Sequence, residues 1–149
     1  MKKLILFLVM IFCATMVRAN ADVLGYWTTI DDETNEAKSV VRVYEYQGKV
    51  YGRVVKLLKN PAAKAKLPGE PAIQDLDIIW DLQLDDDKYA GGKILDPQKG
   101  KVYGCEMWRD GEKLIVRGKI AFLGRNQTWL PNRDMKGNQP LVPALPRLK

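Results

Sequence analysis

A period of two dominates this chain. From Leu24 to Leu130, apolar, β-branched and aromatic residues alternate with polar ones in short runs, and a turn signal interrupts them every 8 to 12 residues over most of that length. The runs are Leu24–Ile30, Ser39–Tyr46, Val50–Leu58, Asp77–Leu84, Tyr89–Leu95, Lys101–Arg109, Leu114–Leu123 and Arg125–Leu130. Their punctuation is the chemistry of tight turns: Gln47-Gly48-Lys49, the acidic Asp85–Asp87, Asp96-Pro97 with Gly100, and Asp110-Gly111. Asp96 precedes a proline, where its carboxylate can accept hydrogen bonds from turn amides.

Glycines inside these runs narrow the choice further. Gly52, Gly91, Gly92, Gly104 and Gly118 interrupt strand-like sequence, where glycine ordinarily costs stability. It is useful in a strand at a bulge, a sharp bend or a close backbone approach. About eight antiparallel strands must bend to close on themselves, and such bends use bulges and glycines. The expected fold is all-β: a single antiparallel meander barrel of about eight strands, with a flat two-sheet sandwich as the alternative.

Two segments have a different texture. Lys59–Asp75 carries Pro61, Pro68, Gly69 and Pro71, which forbid a sustained helix or central strand. It reads as a long loop with one helical turn over Ala62–Lys66, and loops of this length are often binding segments. Residues 131–149 carry four prolines, including Pro131, and no usable period. They are expected to form an extended or disordered tail.

Residues 1–21 read as a secretory signal peptide. Lys2 and Lys3 precede an apolar core from Leu4 to Ala14, and Ala19-Asn20-Ala21 is a small-x-small cleavage site. The apolar core falls short of the roughly 20 residues a membrane span needs. Cleavage after Ala21 leaves one domain, residues 22–130, with the tail attached, and export to the periplasm is expected. The signal removes Lys2, Lys3 and Arg18, three cations and no acids, so the formal net charge of +6 falls to +3. With both signs interspersed, that balance does not make a nucleic-acid footprint. Cys13 leaves with the signal, and Cys105 is then alone, so the mature chain has no intramolecular disulfide. At strand spacing between Tyr103 and Met107, Cys105 reads as a small buried hydrophobe.

Five motifs in order carry a family resemblance: "GYWTT", "VRVYEYQGKVYGRVVKL", "GGKILDPQKGKVYGCEMW", "LIVRGKI" and "GRNQTW". Over Val23 to Trp129 the chain resembles the bacterial exported family catalogued as domain of unknown function 2147. The resemblance implies a lipocalin-like β-barrel in an envelope compartment and no established activity. The chain departs from the family's closing Thr-Trp-x-Arg pattern, because Trp129 is followed by Leu130 and Pro131. Gly25-x-Trp27 is similar to the lipocalin opening, in which the tryptophan plugs one barrel end beneath an arginine of the last strand. Arg125 is the candidate for that arginine, with Arg117 and Arg133 behind it. A guanidinium on an indole face contributes about 0.5–2 kcal/mol.

Histidine is absent from the chain. That excludes Ser-His and Cys-His nucleophile pairs and histidine-bearing zinc sites. The glycines match no phosphate-binding motif, and the acidic turns Asp31–Glu33 and Asp85–Asp87 lack the calcium-loop spacing. No catalytic residue, metal or cofactor is therefore assigned. Charges set among alternating apolar residues, Arg42, Arg53 and Glu106, read mostly as outward cross-strand partners. A binding role is assigned to Arg42, Tyr44, Tyr46, Arg53, Trp80 and Trp108, holding a small apolar or amphipathic ligand in a barrel mouth. The alternative is a filled barrel that recruits an envelope protein through the 59–75 loop or the tail.

Overall fold

The structure is a computed structural model and describes residues 23–120 and 123–149. The expected signal peptide and its cleavage point lie outside the described residues. Eight strands follow in chain order: β1 (Gly25–Ile30), β2 (Ala37–Tyr46), β3 (Lys49–Leu57), β4 (Asp77–Asp85), β5 (Lys88–Asp96), β6 (Lys101–Asp110), β7 (Lys113–Ile120) and β8 (Leu123–Pro131). Each pairs antiparallel with the next, and β8 returns to β1 through Trp27↔Pro131 and Thr28↔Leu130. The sheet is a closed barrel, so the sandwich alternative is set aside. Closure removes the exposed edges that an open sheet would offer to other strands.

The last two strands differ from their sequence reading. Gly124 reads as the break between them, but Ile120 pairs with Leu123 and Gly124 lies inside β8 opposite Lys119. A glycine breaks a strand only where a turn needs its conformation, and Gly124 is not among the glycines with positive φ. The Asp96 turn forms as expected: its Oδ1 accepts the backbone N–H groups of Gln98 (3.0 Å) and Lys99 (3.2 Å).

Trp27 and Arg109 identify the inside of the barrel. The Arg109 guanidinium lies 5.2 Å from the Trp27 ring centroid, although β1 and β6 are not neighbours, so the contact crosses the lumen. Registers then carry that side around the barrel, because directly paired residues share a face. The inward row includes Val41 and Val43 on β2, Val54 on β3, Ile79 and Leu82 on β4, Cys105 and Met107 on β6, Leu114 and Val116 on β7, and Trp129 on β8. All of them are 0–2% exposed. Almost no water-accessible surface remains on these side chains, so the barrel is filled with its own residues at their level. The Trp27 Nε1–H is satisfied by the Val23 carbonyl at 2.9 Å.

Two inward glycines make that filling fit. A Cβ on Gly52 would stand 3.2 Å from the Ile79 Cβ and 3.3 Å from a Val41 methyl. A Cβ on Gly92 would stand 2.3 Å from the Trp80 carbonyl oxygen and 2.8 Å from the Leu82 amide nitrogen. The β4 backbone folds toward Gly92 at Asp81, whose φ of 61° is a conformation that aspartate tolerates better than most residues. The glycine-rich β5 therefore gives way to a neighbouring backbone.

The 58–76 connection forms no helical turn over Ala62–Lys66, contrary to the sequence reading; a single hydrogen-bonded turn at Asn60–Ala63 (Ala63 N–H to the Asn60 carbonyl, 3.1 Å) is not continued. Lys64 bridges Ala72, Ala65 N–H donates to the Pro71 carbonyl, and Ile73 N–H donates to the Ala63 carbonyl. The turn between Pro68 and Pro71 reverses the chain, so the amides of Ala65 and Ile73 find partners across it and not along a helix. Ala65, Leu67, Ile73 and Leu76 join the buried core, and Lys66 N–H is anchored on the Pro97 carbonyl at 2.8 Å. This loop is part of the packed body.

Gly92→Ala is expected to lower unfolding stability by about 2–3 kcal/mol, because the added methyl meets backbone and not a mobile side chain; chemical denaturation of the variant checks this. Burial pushes the Cys105 thiol up to about 12, with Glu106 adding to the effect. Its thiolate is scarce near pH 8, so native protein should react with a thiol reagent at least tenfold more slowly than unfolded protein. Equal rates would show that Cys105 is accessible.

Candidate functional site

Register separates the expected binding residues from the lumen. Arg42, Tyr44 and Tyr46 pair with Arg53, Tyr51 and Lys49, and Arg42 also pairs with Tyr26. All of these alternate with the inward Val41 and Val43, so they stand on the outer face. Trp80 pairs with Lys93 on that face and is buried there. Trp108 is outward on β6, opposite Ile115, with the Lys88 ammonium 4.6 Å from its ring centroid. The six residues therefore do not line a barrel mouth. Arg42, Tyr44, Tyr46 and Arg53 form a patch on β2 and β3, whereas Trp108 lies elsewhere on the wall.

The outward charges are paired, as their alternation suggests. Arg42 lies 5.6 Å from the Tyr26 ring centroid. Glu106 accepts a 2.7 Å hydrogen bond from Lys119 Nζ, and that bond holds its carboxyl below the usual range against the opposing effect of desolvation. Arg125 does not cover Trp27. It pairs with Asp32 in the β1–β2 turn at 3.1 Å. The arginine over Trp27 is Arg109, which follows Cys105 and Met107 at inward parity and sits at the Trp27 end. Arg125 sits near the opposite end of its strand, so the length of β8 separates it from the indole.

The β2–β4 patch has a buried carboxylate at its centre. Asp77 is 0% exposed. Its Oδ1 accepts Tyr44 Oη (2.9 Å) and Arg53 Nε (3.1 Å), and its Oδ2 accepts Arg53 Nη2 (3.2 Å) and the Ala144 backbone N–H (2.7 Å). Those four bonds make burial of the charge tolerable. Burial first, and the Asp77 charge second, raise the Tyr44 hydroxyl above its ordinary pKa. The Tyr44 and Tyr51 rings stack at 5.5 Å, Tyr46 meets Tyr51 edge-on at 6.5 Å, and Tyr51 donates to Asp81 at 3.3 Å.

Ala144 belongs to the tail, which runs as an extended strap across the outside of the barrel. Tyr26 Oη donates to the Gly137 carbonyl (3.2 Å), Arg53 Nη2 to the Val142 carbonyl (2.7 Å), and Leu141 packs on the core. Asp77, Leu141 and Ala144 escaped sequence reasoning because they meet only through tertiary contact. One signal was present: Pro140, Pro143 and Pro146 recur every third residue, the period of a polyproline helix and not of a strand or α-helix.

A second candidate region is the end of the barrel where β7 and β8 join. The inward row on these strands runs Leu114, Val116, Gly118, Ile120 and, descending, Leu123, Arg125, Gln127, Trp129. Leu114, Val116 and Trp129 are sealed, but Ile120 is 63% and Leu123 66% exposed. Ile94 and Tyr103, paired on β5 and β6, are half-buried on the same side. Two surface clefts of about 450 and 440 Å³ lie elsewhere, beside the outward Thr28, Thr128 and Leu130.

The chain was compared with known proteins. A solved structure described as protein HP1028 from the human pathogen Helicobacter pylori, belonging to the lipocalin family, aligns with a TM-score of 0.62 and 20% identity. The alignment covers 74% of this chain and 83% of that one. At this identity the likeness concerns the fold, which is lipocalin-like. No curated protein matches the chain, and no helix among the described residues is long and apolar enough to cross a membrane. Residues 25–130 match the model of an uncharacterized protein family conserved in bacteria. That match spans the barrel from the first residue of β1 to the penultimate residue of β8, and the chain belongs to this family, DUF2147.

Proposed function

We propose that this protein is an exported, non-catalytic binding module that takes a small apolar or amphipathic ligand at the open β7–β8 end of its barrel. One observation carries the reading: a continuous inward-facing row is sealed at Leu114, Val116 and Trp129 but uncovered at Ile120 and Leu123. Lumen-facing apolar side chains left in water favour whatever covers them, by roughly 25 cal/mol per Å². Ile94 and Tyr103 offer further apolar surface, and Gln127 and Arg125 supply polar contacts along the same row. The filling of the barrel below sets the depth. A ligand would sit in the mouth and be partly covered, and the deep pocket of a carrier is already occupied by side chains.

The filled lower barrel also favours a second reading, in which the outer surface recruits an envelope protein. Export rests on the amino-terminal sequence, and the lipocalin-like fold supports binding only by analogy of architecture.

Native mass spectrometry of protein recovered from its own envelope compartment tests the leading reading. The expected mass begins at Asp22 and carries a small molecule that is lost on denaturation. Leu123→Glu or Ile120→Glu should lower retention of that molecule at least tenfold, and Tyr46→Ser on the outer wall should leave it unchanged. A bare mass that persists after incubation with membrane lipid extract would sink the ligand reading. A chain recovered with residues 1–21 attached would remove the export assignment.

A further inference from the structure

The strap and its seat form a complete recognition pair within one chain. The seat reads backbone: Arg53 Nη2 donates to the carbonyl of residue 142, and Asp77 Oδ2 accepts the N–H of residue 144. A donor and an acceptor spaced for residues two apart suit an extended segment, and Pro143 between them offers no N–H to satisfy. Leu141 supplies the apolar anchor against the core. The seat is also built without the strap, because Asp77 keeps Tyr44 and both Arg53 nitrogens when Ala144 departs. Such pairing of backbone bonds with one apolar pocket is how extended, proline-bearing peptides are bound in general.

The strap is separable from the barrel. Asn132 fixes where it leaves: its N–H donates to the Tyr26 carbonyl, its Nδ2 to Thr28 Oγ1, and its Oδ1 accepts the N–H groups of Asp134 and Met135. Beyond that anchor, Gly137 has a φ of 140°, a conformation L side chains rarely adopt. It is a natural hinge. The strap also keeps an outward apolar stripe at every third residue, Val142 (63%), Leu145 (52%) and Leu148 (43%). Exchange would offer that stripe a neighbouring molecule.

We infer that the β2–β4 seat accepts this strap from a second copy of the chain, so that two copies join by exchanging the segment after Gly137. Every copy carries both halves of the contact, and a reciprocal exchange closes as a twofold dimer with no new chemistry. Within one copy the short connection holds the strap at an effective concentration on the order of millimolar. The exchanged form therefore gains on the closed monomer as the protein becomes concentrated. This inference is independent of any ligand at the β7–β8 end.

Complementation between two full-length variants tests it. Leu141→Asp spoils the strap and leaves the seat intact. Arg53→Met spoils the seat and leaves the strap, and Asp77→Asn serves the same end if Arg53→Met proves poorly folded by circular dichroism. One variant is isotopically labelled, and native mass spectrometry reads the species. Alone, each variant is expected to be monomeric. Mixed, they should form a mixed-mass dimer exceeding either homodimer at least tenfold, because the good strap of one copy meets the vacant seat of the other. In wild type, dimer should rise with concentration toward about 1 mM. A mixture of folded variants that stays monomeric overturns the inference, and so does a wild-type dimer that persists unchanged in Leu141→Asp.

Discussion

Closure of the sheet is the constraint on which the rest of this structure depends. Two residue pairs join β8 to β1, and with them every strand acquires an inside. A strand's side chains alternate strictly, so one known orientation propagates through the ladders to all the others. Trp27 supplies that orientation, with Arg109 over its ring from the far wall. From this follow the filled core, the positions where glycine is needed, and the placement of the tyrosine and arginine patch in the outer wall. An open sheet of the same strands would not force these assignments together.

Filling the lumen changes what the architecture can be used for. An eight-stranded barrel is just wide enough to be packed by side chains or to hold one small ligand. Here valines, leucines, Met107 and Trp129 take most of that space, and Gly52 and Gly92 show how tightly neighbouring strands approach. Binding capacity moves to the periphery. One part is the uncovered end of the β7–β8 row, and the other is the outer face, where the strap lies on Asp77 and Arg53. The 58–76 connection contributes apolar residues to the core and reads as part of the scaffold.

Asp77 shows how a buried charge organises a surface. Its carboxylate collects a phenol, a guanidinium and a backbone amide from three separate segments. The phenol and the guanidinium hold β2, β3 and β4 in mutual register, and they still do so when the strap's backbone amide is withdrawn. The tyrosine stack around it adds area and rigidity at low entropic cost. What looks along each strand like ordinary alternating polarity becomes, across strands, a specific seat.

The strand count, the all-β class, the antiparallel meander and the glycine and Asp-Pro turns were legible in sequence because they rest on local patterns, whereas the β7–β8 turn, misread at Gly124, was not. Those patterns are a period of two, glycine and Asp-Pro turns, and strand glycines that signal closure. The buried character of Cys105 and the turn role of Asp96 were legible for the same reason. Which alternating face points inward was not, because the two parities are related by symmetry until a long-range contact breaks it. That is why the six residues assigned to a mouth proved to be outward, and why Arg109 and not Arg125 covers Trp27. Alternation along β6 puts Arg109 level with Met107, but only the closed barrel brings it over an indole from β1. For the tail, four prolines and the lack of a usable period left both an extended and a disordered form open. Its seat required Tyr44, Arg53 and Asp77 to meet from three strands, a meeting set by register and not by any neighbour in the chain.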